Sequence, residues 1–142
     1  ISLVLGAIGA LQQYRDYRQE KSDRAVVREL AERVCQGVRD GDYSVMYSQL
    51  PREDRAKIPP AQWNYSWNRF FNSAGTLEKI ELSDRIIASW PYYIALTANM
   101  HFPPGPGGEP RVYAARLVYA PSSESDSQSW ELRKLPDFIN PS

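Results

Sequence analysis

The stretch Pro91-Tyr-Tyr-Ile-Ala-Leu-Thr-Ala-Asn-Met-His-Phe102 decides the fold. Tyr92, Ile94, Leu96, Ala98, Met100 and Phe102 fall on one side of an extended chain, while Tyr93, Ala95, Thr97, Asn99 and His101 fall on the other. A period of two sustained over the whole stretch marks a strand with one covered face. Before it, Ile80 and Leu82 alternate with Lys79 and Glu81. After it, Arg111 to Ala120 sets Tyr113, Ala115, Leu117 and Tyr119 on one face, and Ser129 to Leu135 does the same with Trp130 and Leu132. The links between these strands are too short for a crossover helix, so the sheet is expected to be antiparallel. The loop Pro103-Pro-Gly-Pro-Gly-Gly-Glu-Pro110, and Pro121 followed by the serine-rich run to Ser129, cannot continue a ladder and read as exposed turns.

Upstream of Gly75 the period changes to that of a helix. Val27, Leu30, Ala31, Val34, Cys35 and Val38 recur at threes and fours, with Arg28, Glu29, Glu32 and Arg33 facing away, which predicts an amphipathic helix ending at Asp40-Gly41. Asp42 is suited to cap a short second helix carrying Val45, Met46 and Leu50, closed by Pro51. Pro59-Pro60 opens a third, whose broad apolar face holds Trp63, Trp67, Phe70, Phe71 and Ala74. Three helices followed by a curved antiparallel sheet of about four strands is an α+β arrangement, with the helices covering one sheet face.

Ile1 to Leu11 carries no charge, and Ile1, Leu3, Val4, Leu5, Ile8 and Leu11 make it apolar on every side. At about 1.5 Å per residue it covers half of a roughly 30 Å hydrocarbon layer, and the chain opens on Ile rather than Met. It is read as the end of a truncated transmembrane helix entering the lipid bilayer. Tyr14 and Tyr17 then suit an interfacial belt. A leader remnant and a buried core helix are the alternatives. Because residues 10 to 36 hold neither Pro nor Gly, anchor and first amphipathic helix are expected to form one rod from Ile1 to about Arg39. The organisation is then an anchor and juxtamembrane segment at 1–21, one domain at 22–135, and a tail at 136–142.

Val38-Arg-Asp-Gly-Asp-Tyr-Ser-Val-Met-Tyr-Ser-Gln-Leu50, the helix start Pro59-Pro-Ala-Gln-Trp63 and the closing Trp130-Glu-Leu-Arg-Lys134 resemble the NTF2-like (cystatin-like) superfamily over residues 22 to 135. The nearest likeness is to its small membrane-tethered or lipoprotein domains of unknown function. That resemblance implies a cone between helices and sheet, and an extracytoplasmic, periplasmic domain. The mixed charge beside the anchor (Arg15, Arg18, Lys21 and Arg24 against Asp16, Glu20 and Asp23) casts only a faint vote for the cytoplasm. Many members have sheets of up to six strands, where four are counted here.

The 142 residues suit a single core. Seventeen basic and seventeen acidic residues cancel, with no unopposed basic cluster, which argues against nucleic acid as a partner. One cysteine, Cys35, forbids an internal disulfide and sits on an apolar helical stripe, where it reads as core. With one histidine, His101, no metal site rich in Cys or His and no Cys/His nucleophile pair can be built. Enzymes of the resembled superfamily place Asp or His inside the cone, whereas His101 shares its face with Thr97 and Asn99 and is directed away from it. Asp84 beside Arg85 reads as a turn or ion pair. The glycines of the 103–110 loop are interrupted by proline and open no helix, so no phosphate cradle forms. The expectation is therefore no catalytic residue, no metal and no cofactor.

Two surfaces remain. Trp63, Trp67, Phe71 and Tyr113 either pack the core or line a residual pocket in the cone. Trp90, Tyr93, Thr97, Asn99 and His101 form a partner face, uncharged along the strand, of a kind that favours protein contact. The reading is a non-enzymatic accessory subunit, anchored by one helix and docking on integral membrane protein subunits. Alternatives are a small-molecule-binding or lyase-type domain using the cone, and a self-assembling scaffold of a secretion-type system.

Overall fold

Ser2–Arg39 forms one helix, α1, in the computed structural model, which describes residues 2–122 and 129–134. Its 38 residues span about 57 Å, so the expected uninterrupted rod is what forms. From Asp23 onward the helix is part of the core: Val27, Ala31, Val34, Cys35 and Val38 are buried at the spacing that was read from the sequence. Closer to its start the helix stands clear, with Ile8 and Leu11 nearly 60 % exposed (58 % and 59 %). At about 100° per residue Leu11 lies roughly opposite the Val27–Val34 stripe and Ile8 about a quarter-turn from it.

The expectation of a single-pass membrane anchor with a periplasmic domain is overturned. Among the described residues no helix is long and apolar enough to cross a membrane. The physical reason lies in α1, where Leu11 is followed by Gln12, Gln13, Arg15, Asp16 and Arg18, so that no described stretch of this helix is apolar over the length of a span. Tyr14 and Tyr17 are exposed on this polar stretch, and Gln12 donates to Asp16 one turn on, which is how a helix in water is decorated.

Three shorter helices follow. Asp42 accepts the Ser44 amide N–H at 3.1 Å just ahead of α2 (Ser44–Ser48), but the N-cap position falls on Tyr43, which has no side-chain cap, so Asp42 forms the turn before the helix rather than the expected cap. Pro51 does more than close it, since it precedes a further turn of helix, α3 (Arg52–Lys57), that carries no buried residue and so left no apolar pattern to read. α4 (Pro60–Ala74) begins on its proline and buries Trp63, Trp67, Phe70 and Ala74 along one face. Gly75, at φ 105°, then leaves the helix in a conformation that side chains resist.

The sheet is an antiparallel meander in the order β1 (Lys79–Ser89), β2 (Tyr93–Phe102), β3 (Arg111–Pro121), β4 (Trp130–Lys134). β2 buries Ile94, Leu96, Ala98, Met100 and Phe102, as its alternation dictated; Tyr92 lies before the strand and is exposed. β1 is longer than its apolar residues suggested, because a register shift between Leu82 and Ile86 lets it continue to Ser89. Asp84 sits in that irregularity rather than at a strand end, and the cation nearest it is Arg28, at 3.9 Å. The serine-rich turn at 123–128 and the tail 136–142 lie outside the described residues.

Helices and sheet are stitched together by a few long-range polar ties. Gln49, just past α2, donates to the Leu30 carbonyl of α1, accepts the Tyr119 hydroxyl of β3, and receives the Leu132 N–H of β4 on its main-chain oxygen. Trp63 donates its indole N–H to the Tyr43 carbonyl at 2.8 Å. Arg39 and Arg28 of α1 donate to the Ile80 and Ser83 carbonyls of β1. These arginines occupy backbone acceptors on the outer strand, which blunts it as an edge for strand addition.

Trp67 is fully buried and stacks on both Tyr43 and Phe71, with ring centroids 5.6 and 5.9 Å away. Trp67→Ala is expected to cost about 3–5 kcal/mol, because no neighbour can refill an indole-sized void. Thermal or urea unfolding of the full chain measures it. A loss below about 1 kcal/mol would contradict the packing described.

Candidate functional site

Residues expected to line a pocket in the cone do come together, but as solid packing. Trp63 and Trp67 meet edge to face at 6.0 Å, and both are closed to solvent. Phe70 and Phe102 carry the cluster across to Tyr113, whose ring lies 5.9 Å from Phe70 and 5.4 Å from Phe102. Arg111 closes this end from above, with its guanidinium 5.9 Å from the Phe102 ring centroid and donating to the Ala74 carbonyl. Aromatic side chains from α4, β2 and β3 therefore fill the space in which a ligand would sit.

Of the four expected residues, Tyr113 is exposed at the sheet surface and Phe71 alone borders a depression. With Tyr43, Arg39, Asn72 and Thr76 it lines a depression of about 530 Å³ where the ends of α1 and α4 converge. Its charged groups are already engaged: the Arg39 guanidinium bonds the Ile80 carbonyl and the Gln36 side chain, and Asp40 receives Gln36. Burial raises the Tyr43 phenol above its usual range, so the hydroxyl is a neutral donor at the floor of this depression.

The partner face expected from the sequence is only partly assembled. Tyr93, Thr97, Asn99 and His101 do share the outer side of β2, which no other element among the described residues covers. Trp90 does not join them. Its indole turns back toward α1 and donates to Asp23 at 2.9 Å, and Asp23 also receives the Gln19 amide. Asp23 is the only buried charged residue among those described, and it is fully engaged by this pair of donors. Its role was not legible in sequence, because its partner lies 67 positions away.

Cross-strand register adds residues to the face that the sequence reading missed. Ile87 of β1 and Val118 of β3 flank Ala95, making an apolar row across three strands. Ala95 is only 2 % exposed with no layer above it, because its larger neighbours close over the methyl. Tyr93 and Ile87, each more than a third exposed, stand at the border of this row. A polar zone follows along the strands, where His101 lies 3.1 Å from Glu81, itself 3.7 Å from Lys79, and Asn99 pairs with Ala114. Arg116 sits opposite Thr97.

The sequence matches no protein-family model, and no curated protein is significantly similar to it. Among the described residues no group of three or more His, Cys, Asp or Glu side chains is placed to hold a metal ion.

Cys35 is the core residue that was expected, fully buried beside Tyr119. Desolvation is the dominant cause lifting its thiol from 9.0 to about 11; Arg39 opposes and Glu32 assists. Burial also raises Tyr119. A raised native pKa means that ionisation favours the unfolded chain, so stability is whole below pH 9 and falls as pH climbs toward 11. Urea midpoints measured from pH 7 to 10.5 are expected to lose about 1 kcal/mol through Cys35 alone by pH 10. Cys35→Ala should show a shallower alkaline decline despite its lower stability at neutral pH, and the native thiol should resist a disulfide reagent at pH 8.

Proposed function

We propose that this chain is a non-enzymatic accessory subunit of a protein complex and that it docks on a partner protein through the uncovered face of its sheet. The observation that carries this reading is the apolar row Ile87–Ala95–Val118, bordered by Tyr93 and left without a covering layer among the described residues. An antiparallel sheet with one face in water ordinarily alternates apolar-in with charged-out, whereas β2 presents Tyr93, Ala95, Thr97, Asn99 and His101 outward with no Asp, Glu, Lys or Arg among them. A dry centre rimmed by Glu81, Lys79 and Arg116 has the anatomy of a protein-contact patch.

Edge-on assembly is the competing way for a sheet to bind protein, and at β1 it is disfavoured. Arg39, Arg28 and the register shift at Leu82/Ile86 occupy that edge. The ligand-binding alternative requires a polar side chain aimed into an open cone, and the aromatic packing leaves it little room. The helices-on-one-face arrangement supports assigning the domain to the NTF2-like superfamily.

Tyr93→Glu combined with Asn99→Lys places two charges on the patch without touching the buried face. The full chain carrying both should keep its circular dichroism spectrum and unfolding midpoint. Its recovery of partner subunits in affinity purification from its own cells should fall at least about tenfold relative to the unaltered chain. Undiminished recovery by a folded double variant would remove this face from the assignment.

A further inference from the structure

A groove of about 610 Å³ runs along the free side of β4, far from the sheet face, between Leu30 and Arg33 of α1, Val45 of α2, Leu50, Arg55 of α3, and Trp130. Its floor is apolar: Leu50 and Trp130 are buried, and Leu30 and Val45 half-buried. One wall is a strand edge. Leu132 donates its N–H outward to the Gln49 carbonyl at 2.8 Å. By the alternation of an antiparallel strand, the N–H and C=O of Trp130 point to that same side, into the groove. Gln49 is itself locked by the Tyr119 hydroxyl and the Leu30 carbonyl, so the wall is rigid.

The charges around the groove do not cancel. Arg33 is matched by Glu29 at 2.7 Å on the exposed side of α1. Glu131 is compensated as well, receiving the Ser122 hydroxyl on one oxygen and facing Arg133 at 3.5 Å on the other. Arg55 forms no salt bridge among the described residues, although it lines a concave apolar site. A groove of this size, with an apolar floor, a backbone edge on one wall and an unmatched guanidinium at its rim, has the features by which extended peptides are held.

We propose that this groove takes a short extended peptide of a partner protein carrying an acidic residue next to an apolar one. The peptide backbone pairs with the outward edge at Trp130, its apolar side chain lies on the Leu30–Val45–Leu50 floor, and its carboxylate meets Arg55. This second site is independent of docking through the sheet face.

The test uses the full chain, labelled with ¹⁵N, and the pentapeptide acetyl-Val-Asp-Phe-Asp-Val-amide, with acetyl-Val-Lys-Phe-Lys-Val-amide as its charge-reversed counterpart. The acidic peptide is expected to give saturable shifts at the Trp130 indole and the Gln49 and Leu132 amides, and the lysine peptide at least about fivefold weaker ones. Arg55→Glu should reverse that preference, and Ser48→Trp, which fills the groove from its exposed wall, should abolish binding of both. Tyr93→Glu should leave the shifts unchanged, which separates this site from the sheet face. Absence of shifts at millimolar peptide, equal response to the two peptides, or binding indifferent to both Arg55→Glu and Ser48→Trp in folded protein would each overturn the proposal.

Discussion

The stack of Tyr43, Trp67 and Phe71 between the helical layer and the sheet is the contact on which the rest of the molecule depends. Trp67 lies against both rings at under 6 Å, nearly parallel to each, and Phe70, Phe102 and Tyr113 continue the cluster edge to face. Burying so many large rings at one junction supplies much of the apolar area a domain of this size requires, and it fixes how α4 sits on the sheet. It also consumes the interior. The junction is packed with side chains that carry almost no reactive chemistry, which shifts attention from the interior to the outside of the sheet and to its edges.

Polar ties then determine where α1 and the strands stand relative to that stack. Gln49 joins three elements through a single side chain and its own carbonyl, and Asp23 fastens the tip of the β1–β2 hairpin to α1 through Trp90. Both are engaged by specific donors or acceptors, as buried polar groups must be if they are not to cost stability. The arginines that reach from α1 to β1 carbonyls extend the same scheme to the sheet edge, so one long helix both covers the core and guards a strand. Before Asp23 the same helix stands clear of the core, with Ile8 and Leu11 exposed.

Much of this was legible in the residues. The switch from a period of three and four to a period of two near Gly75 marks where helices give way to strands, and the buried positions of β2 follow from alternation alone. The rod from residue 2 to Arg39 follows from the lack of a helix breaker. α3 was not legible, because a six-residue helix with no buried side chain has no apolar period to display. The membrane assignment is overturned because no described helix is long and apolar enough to cross a bilayer, the charged residues from Arg15 onward interrupting α1. Trp90 misled for a different reason, since an aromatic at a hairpin tip looks exposed until its hydrogen-bond partner, remote in sequence, is located.

By itself the sequence determined the local order of this protein: which segments are helical, which extended, and which side of each is apolar. These properties depend on neighbours within a few positions, through dihedral preference and periodicity. Tertiary structure alone decided which apolar sides meet and which remain uncovered. Ile87, Ala95 and Val118 become one row only when the register of three strands aligns them, and Leu30, Arg55 and Trp130 border one groove only after the chain has closed on itself. Register and closure are set by the summed packing of residues far apart along the chain, a quantity that no local pattern contains.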